Sequence, residues 1–369
     1  MAPQLKLFFD RRVIDEIGRD LRGVGVRTGT FEERAANGLD ALELTGRARH
    51  IMLAMRDVLP ADPPEALALL VASFGPPHAT DELVGAGMEP FKYLPHALYI
   101  AEFGLDHPDE ALVACEAITR RFTAEYCVRP YVERHPKKTW AALKRWTKSP
   151  DPHVRRLVSE GLRPRLPWAP RLRSLQQDPR PALVLLEALK DDPSTLVRRS
   201  VANHLGDIAK DHPDLAVEVA RRWLVDATPE RRKLVAYGLR HPIKQGHMGA
   251  LAALGHDGAA IRIEGFTVPA RVALGDDAPF AFDVLSTGKQ PQSLVIDVVV
   301  HFVKASGKTA PKVFKVARRV VAPRERVSLC GRIRTAVMTT RTHHPGEHVI
   351  DVQINGQRFA AGRFELFAV

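Results

Sequence analysis

The sequence predicts an all-helical repeat array followed by an immunoglobulin-like β-sandwich, and three observations carry that prediction. From Val13 to about Leu254 apolar residues recur at helical spacing, as in Val13, Ile14, Ile17 and Leu21, or Leu183, Leu186 and Leu189. Beyond Phe266 the period falls to two and β-branched residues take over, in the runs 294–303, 313–316 and 348–354. Within the helical part a motif recurs in which a polar proline turn precedes Val-Arg-Arg and a helix. The change near Gly265 gives a helical domain of residues 1–265 and a β domain of residues 266–369.

At the N-terminus Lys6, Asp10, Arg11, Arg12, Asp15, Glu16 and Arg19 alternate with apolar residues, leaving neither the apolar core nor the cleavage site of a signal peptide. The longest uncharged apolar stretch, around Leu67 to Phe74, falls well short of the ~18 to 20 residues that cross a bilayer. A cytoplasmic protein without membrane association is expected. The only cysteines are Cys115, Cys127 and Cys330, none in C-x-x-C spacing, which argues against structural disulfides and a cysteine-based zinc site.

The repeats follow in order. A turn at Ser149-Pro-Asp-Pro152 leads into Val154-Arg155-Arg156, and Asp192-Pro193 leads into Val197-Arg198-Arg199. In the third copy, from Asp226, Glu230 replaces the valine before Arg231-Arg232. Spacings of 43 and 33 residues between these points bracket helix-pair repeats of the HEAT kind. The first helix of each pair is predicted over 137–148, 181–190 and 214–225. Stacked pairs make a curved solenoid with a concave face. The arginines have two readings, since a residue at the start of a second helix can pair with a neighbouring acidic turn or face a ligand. The last 104 residues accommodate some seven short strands, and Asn355-Gly356 is a strong hairpin signal.

Net charge is +11, and its distribution is uneven. Between Arg120 and Arg180 sixteen Lys and Arg face five acids, an excess equal to that of the whole chain on one sixth of its length. Such a belt is the footprint of phosphate binding, and a merely solvated face is the alternative. The β domain, with 15 basic and 8 acidic residues, is cationic as well.

The acids within the belt are the informative exceptions. Asp151 and Asp178 belong to proline turns and are expected to cap helices. Glu125 is predicted in mid-helix, Glu160 late in a second helix before Pro164, and Asp207 at the close of the equivalent helix one repeat on. Three acids at comparable ends of adjacent helices can share one concave surface. Trp168, in the proline-rich interruption Arg163-Pro-Arg-Leu-Pro-Trp168-Ala-Pro170, can stack on a base or sugar. Trp140, Trp146 and Trp223 are expected in the core. His343, His344 and His348 flank Pro345-Gly346 and are expected in a solvated loop rather than on a metal. No P-loop, H-E-x-x-H or G-x-S-x-G signature occurs.

The segments Ala124-Glu-Tyr-Cys127, Asp151 to Trp168 and Asn203-His-Leu-Gly-Asp207 resemble the DNA alkylation repair glycosylases of the AlkC and AlkD superfamily, AlkC more closely. The resemblance covers roughly residues 1–260, and some AlkC members carry a C-terminal immunoglobulin-like domain. It implies excision of 3-methyladenine and 3-methylcytosine from duplex DNA without full base flipping. It also implies catalytic roles for Glu125, Glu160, Asp207 and Trp168, with Arg156 near the lesion. Lys148, Arg155, Arg156, Arg163, Arg165 and Arg171 are the residues expected on the DNA.

That chemistry suits the residues. A cationic alkylated base leaves with little need of a general acid, so carboxylates need only stabilise the oxocarbenium-like sugar and position water. No metal or organic cofactor is required, and no lysine stands in the carboxylate set as a Schiff-base nucleophile, so a monofunctional enzyme is expected. A monomer is expected because the β domain can cap one end of the array. The competing readings are a non-catalytic HEAT scaffold and a DNA-bending protein without lesion preference.

Overall fold

The computed structural model describes residues 5–78, 87–167, 169–336 and 342–368. Among them, sixteen α-helices precede eight strands. The helices are α1 (Arg11–Gly23), α2 (Phe31–Ala36), α3 (Leu44–Val58), α4 (Pro63–Ala72), α5 (Leu94–Phe103), α6 (Pro108–Thr119), α7 (Arg129–Arg134) and α8 (Pro136–Trp146). They continue as α9 (Pro152–Gly161), α10 (Arg173–Gln177), α11 (Arg180–Leu189), α12 (Thr195–Asp211), α13 (Pro213–Leu224), α14 (Pro229–Gly238), α15 (Arg240–Lys244) and α16 (Met248–Ala253). None of the described helices is long and apolar enough to cross a membrane.

Proline sets many of these boundaries. Pro63, Pro108, Pro136, Pro152 and Pro213 each open a helix, where the missing N–H is not needed and the fixed φ suits the first turn. Asp62 and Asp151 complete two of these starts, accepting from the backbone N–H of Glu65 at 3.1 Å and of His153 at 2.8 Å.

The chain forms two compact units, Met1–Asp211 with Ala227–Gly238, and His212–Asp226 with Leu239–Val369. In the first, α8 packs on α9, α11 packs on α9 and α12, and α9, α12 and α14 lie side by side. The Val-Arg-Arg copies therefore become neighbouring helices, and the helices expected over 137–148 and 181–190 are α8 and α11.

The second unit holds α13, α15, α16 and all strands: β1 (Ile261–Thr267), β2 (Arg271–Ala273), β3 (Asp277–Ser286), β4 (Gln292–Val303), β5 (Thr309–Val321), β6 (Arg326–Arg334), β7 (Gly346–Ile354) and β8 (Gln357–Phe367). They form sheets of order β1-β3-β6 and β2-β8-β7-β4-β5, antiparallel except for β2 beside β8. Phe280, Phe282 and Val284 from one sheet and Ile296, Val298 and Ile350 from the other share a single core. The described strands number eight rather than seven, because the three-residue edge strand β2 is too short to show a period. Asn355 and Gly356, at φ 45° and 84°, make the two-residue turn of the β7–β8 hairpin.

The histidine-rich turn is corrected. His344 is half-buried, and His343 and His348 are buried, His348 because it falls on an inward position of β7, where its ring stacks on Phe364 at 5.1 Å. Trp146 and Trp223 are core residues, whereas Trp140 is half-buried.

Candidate active site

The site forms where α9, α12 and the segments leaving α6 and α9 meet in the first unit. Leu157 and Val158 on α9 and Val197 and Val201 on α12 bury the shared apolar faces of these helices. Among those residues sit Ser159 and Ser200, whose hydroxyls meet at 2.7 Å. Small polar residues at inward positions are the local signal that these helices enclose a polar network.

The three acids are brought together, strung on cations. Arg163 Nη1 donates to Glu160 Oε1 at 2.6 Å, and its Nε donates to Asp207 Oδ2 at 2.9 Å. Lys210 Nζ donates to Asp207 Oδ1 at 3.0 Å. Arg156 Nη2 donates to Glu125 Oε2 at 2.9 Å and lies 3.9 Å from Glu160 Oε1. Glu160 and Asp207 are only 6% and 1% exposed, so each depends on these hydrogen-bonding cations to offset the cost of its burial. Ser200 Oγ donates to the remaining oxygen of Glu160 at 2.6 Å.

Electrostatics follow from the same contacts. Burial pushes the Glu160 carboxyl up, but the charges of Arg156 and Arg163, with hydrogen bonds from Ser200 and Arg163, outweigh it and hold the group below its ordinary value. Glu160 is thus ionised at neutral pH. His204 is fully buried beside the acids, with Nδ1 donating to the Ser159 carbonyl at 2.9 Å. Burial pushes its pKa down to about 4, so the ring is neutral and adds no charge.

Glu125 differs from expectation in its local structure. It occupies a turn between α6 and α7 rather than a mid-helix position. Pro130, the second residue of α7, can neither donate to a preceding turn nor tolerate one, so the helix starts at Arg129. The turn leaves Glu125 half-buried, with one oxygen on Arg156. Asp207 does not close its helix, since α12 runs one further turn to Asp211.

The basic residues divide by use. Arg155 grips Asp192 with Nε and Nη2 at 2.6 and 3.0 Å, and Arg165 grips Asp211, so both serve acids of the chain itself. Arg163 is buried between Glu160 and Asp207 rather than displayed on a basic surface, because the two acids require a shared cation. Lys148 and Arg171 are exposed. Trp168 lies outside the described residues. Asp151 and Asp178 accept from backbone N–H groups at helix starts, as expected.

Three residues of the network escaped sequence reasoning. Ser200 was visible only as a polar residue in a core register. Lys210 is a lysine that does touch the acids, one turn after Asp207 on α12. Its ammonium donates to a carboxylate, whereas Schiff-base attack needs the neutral amine. Arg129 is 3% exposed and, among the described residues, donates only to backbone carbonyls, which no local pattern announces.

A cavity of about 510 Å³ opens beside this network, bounded by Glu125, Arg156, Glu160 and Arg163 on one side and by Phe91 and Phe122 among its apolar walls. Carboxylates next to an aromatic, weakly hydrated space attract a cation.

Comparison with known proteins adds the following. Residues 121–232 match the family model of the DNA alkylation repair enzyme, and residues 262–368 match that of the C-terminal Ig-like domain of the uncharacterised protein YhaZ. The uncharacterized protein YhaZ of Bacillus subtilis (strain 168) is 35% identical over 321 residues, covering 86% of this chain and 85% of its own length. The structure of the Pseudomonas fluorescens alkylpurine DNA glycosylase AlkC, bound to DNA containing an abasic site analog, is 34% identical with a TM-score of 0.87. That match covers 99% of this chain and 100% of the other.

Proposed function

This chain belongs to the DNA alkylation repair enzyme family, in its AlkC branch with a C-terminal Ig-like domain, and from that premise we propose that it is a DNA glycosylase. Its substrates in this reading are cationic N-alkylated bases in duplex DNA, 3-methyladenine and 3-methylcytosine, released by hydrolysis of the N-glycosidic bond without full base flipping. It acts as a monofunctional enzyme and a monomer, in the cytoplasm, on an array of HEAT-like helix pairs.

The observation that carries the proposal is the buried Glu160–Arg163–Asp207 bridge, with Glu125 beside it. A cationic base needs no protonation to leave, so the barrier lies in the positive charge that develops on the sugar. Preorganised carboxylates stabilise that charge without reorienting. In Glu160 and Asp207 every carboxylate oxygen already accepts a hydrogen bond, so these two supply a fixed negative field. Glu125 is the more exposed acid and has an oxygen that no donor engages among the described residues, so it is the one suited to orient the attacking water. Arg156 holds Glu125 until substrate arrives. Trp168 covers the sugar in this reading, and the exposed Lys148 and Arg171 meet phosphates.

The test is release of free base from methylated duplex DNA by the wild type and by Asp207→Asn. Wild-type release of 3-methyladenine and 3-methylcytosine, with at least a hundredfold loss in the variant at unchanged DNA binding, is expected. Binding without release by the wild type would reduce the chain to a scaffold.

A further inference from the structure

Arg129 is the most deeply buried cation near the site, and among the described residues it has no ion pair. Its guanidinium is spent on main-chain oxygens. Nη1 donates to the carbonyls of Gly161 at 2.8 Å and Arg163 at 2.9 Å, while Nε and Nη2 donate to the carbonyl of Pro170 at 3.1 and 2.5 Å. Burial pulls its pKa down to about 10, still leaving it charged at neutral pH. A charge placed in the interior without a carboxylate is costly, and an apolar side chain could fill the same space, so what the guanidinium achieves must lie in the groups it fixes.

Those groups belong to one excursion of the chain. The described residues between Gly161 and Pro170 leave the end of α9, and they include Pro164, Pro167 and Pro170, none of which has an N–H to donate. The last carbonyls of α9 also lack helical partners and carry the negative end of its dipole. Arg129 supplies the missing donors and binds the main chain on both sides of Leu162 and at the far end of the excursion. Contact here is tight, since a Cβ on Gly161 would stand 2.7 Å from Val128 Cγ1, next to Arg129 in the chain.

Arg163 is the member of the catalytic network that rides on this excursion, and its backbone carbonyl is one of the three held. Its side chain must reach Glu160 and Asp207 at once, through bonds of 2.6 and 2.9 Å. We propose that Arg129 is a positioning residue, which fixes the backbone of Arg163 and thereby the spacing of Glu160 and Asp207. The inference rests on the glycosylase reading of that network. Lysine cannot replace arginine in this role: an ammonium is a point donor, whereas the guanidinium fork spans the Gly161–Arg163 pair and Pro170 together. Misplacing such a group by about 1 Å is enough to cost on the order of a hundredfold in rate.

The experiment uses the full chain with Arg129→Lys and Arg129→Gln. For each variant it measures thermal unfolding, affinity for a duplex containing an abasic-site analogue, single-turnover release of 3-methyladenine, and the Nε–Hε NMR signal of Arg163. Expected for Arg129→Lys are a folded protein, affinity within threefold of wild type, a release rate lowered thirtyfold or more, and a shifted, faster-exchanging Arg163 signal. A folded variant with an unchanged Arg163 signal and a rate within threefold of wild type would overturn the proposal. Failure of both variants to fold would also overturn it, assigning Arg129 to stability alone. If the wild type releases no base, the glycosylase reading fails while the NMR signal still decides whether Arg129 places Arg163.

Discussion

Ser200 shows how one hydroxyl supports a buried charge that the arginines establish. It donates at 2.6 Å to the Glu160 oxygen that Arg163 does not take, and it accepts in turn from Ser159. In Ser200→Ala that buried oxygen keeps its charge and loses its donor, which costs about 1.5 to 3 kcal/mol for a bond to an ionised group. The pH dependence has a definite sign. Glu160 has a folded-state pKa below its unfolded value, so its stabilising effect is complete above the ordinary carboxylate range and fades as pH falls through the lowered folded value. Urea unfolding of wild type and Ser200→Ala is therefore expected to differ most at pH 6 to 8 and to converge in acid. A difference independent of pH would show that the hydroxyl serves packing rather than the carboxylate.

At the level of elements, the β7–β8 hairpin was the most legible feature and remains the most testable. Asn355 and Gly356 both adopt positive φ, and the Asn355 side chain also accepts from the Val295 N–H at 2.8 Å and donates to the Ser293 carbonyl at 2.9 Å. In Gly356→Ala the new Cβ would lie 2.4 Å from the Gly246 carbonyl oxygen, on top of the strain of φ 84°. A loss of about 2 kcal/mol or more is expected, read as a lower urea midpoint with unchanged m-value; a neutral result would mean that the turn can shift away from Gly246. The hairpin was legible because Asn-Gly encodes its conformation within two residues, just as the β-branched runs encode β4, buried without a break from Leu294 to Val300, and β7. Repetition of Val-Arg-Arg likewise exposed α9, α12 and α14, since each copy meets the same local demand. The use of each arginine was not legible. Arg155 and Arg156 are adjacent in sequence, yet one grips Asp192 of the next turn and the other Glu125, 31 residues back. Arg129 reads as one more basic residue of the belt, because its burial depends on Gly161, Arg163 and Pro170, which are brought to it only by the fold.

Over the whole molecule, the excess of positive charge is smaller in effect than the sequence count suggests. Of the sixteen basic residues between Arg120 and Arg180, ten are engaged by acids or carbonyls of the chain itself. Lys137, Lys144, Arg145, Lys148, Arg171 and Arg173 remain, all exposed and without a side-chain partner among the described residues. Only unpaired cations release counterions cleanly from DNA, because a paired one must first give up its own acid. With about 0.9 counterions released per phosphate contact, this belt can contribute at most about −5 to the slope of log affinity against log salt, rather than the roughly −14 that all sixteen would give. Lys144, Arg145 and Lys148 crowd the end of α8 and the turn after it, so they are the group to remove together. The triple change of these three to glutamine is expected to make the slope shallower by about 3, with little effect on the unfolding temperature, since exposed cations without partners add little to stability. Fluorescence anisotropy with a duplex carrying an abasic-site analogue, titrated from 50 to 300 mM salt, measures it. If the slope stays at the wild-type value, DNA does not cross the end of α8, and the phosphate contacts of the belt fall to Lys137, Arg171 and Arg173, with the cationic strands of the second unit as the other source.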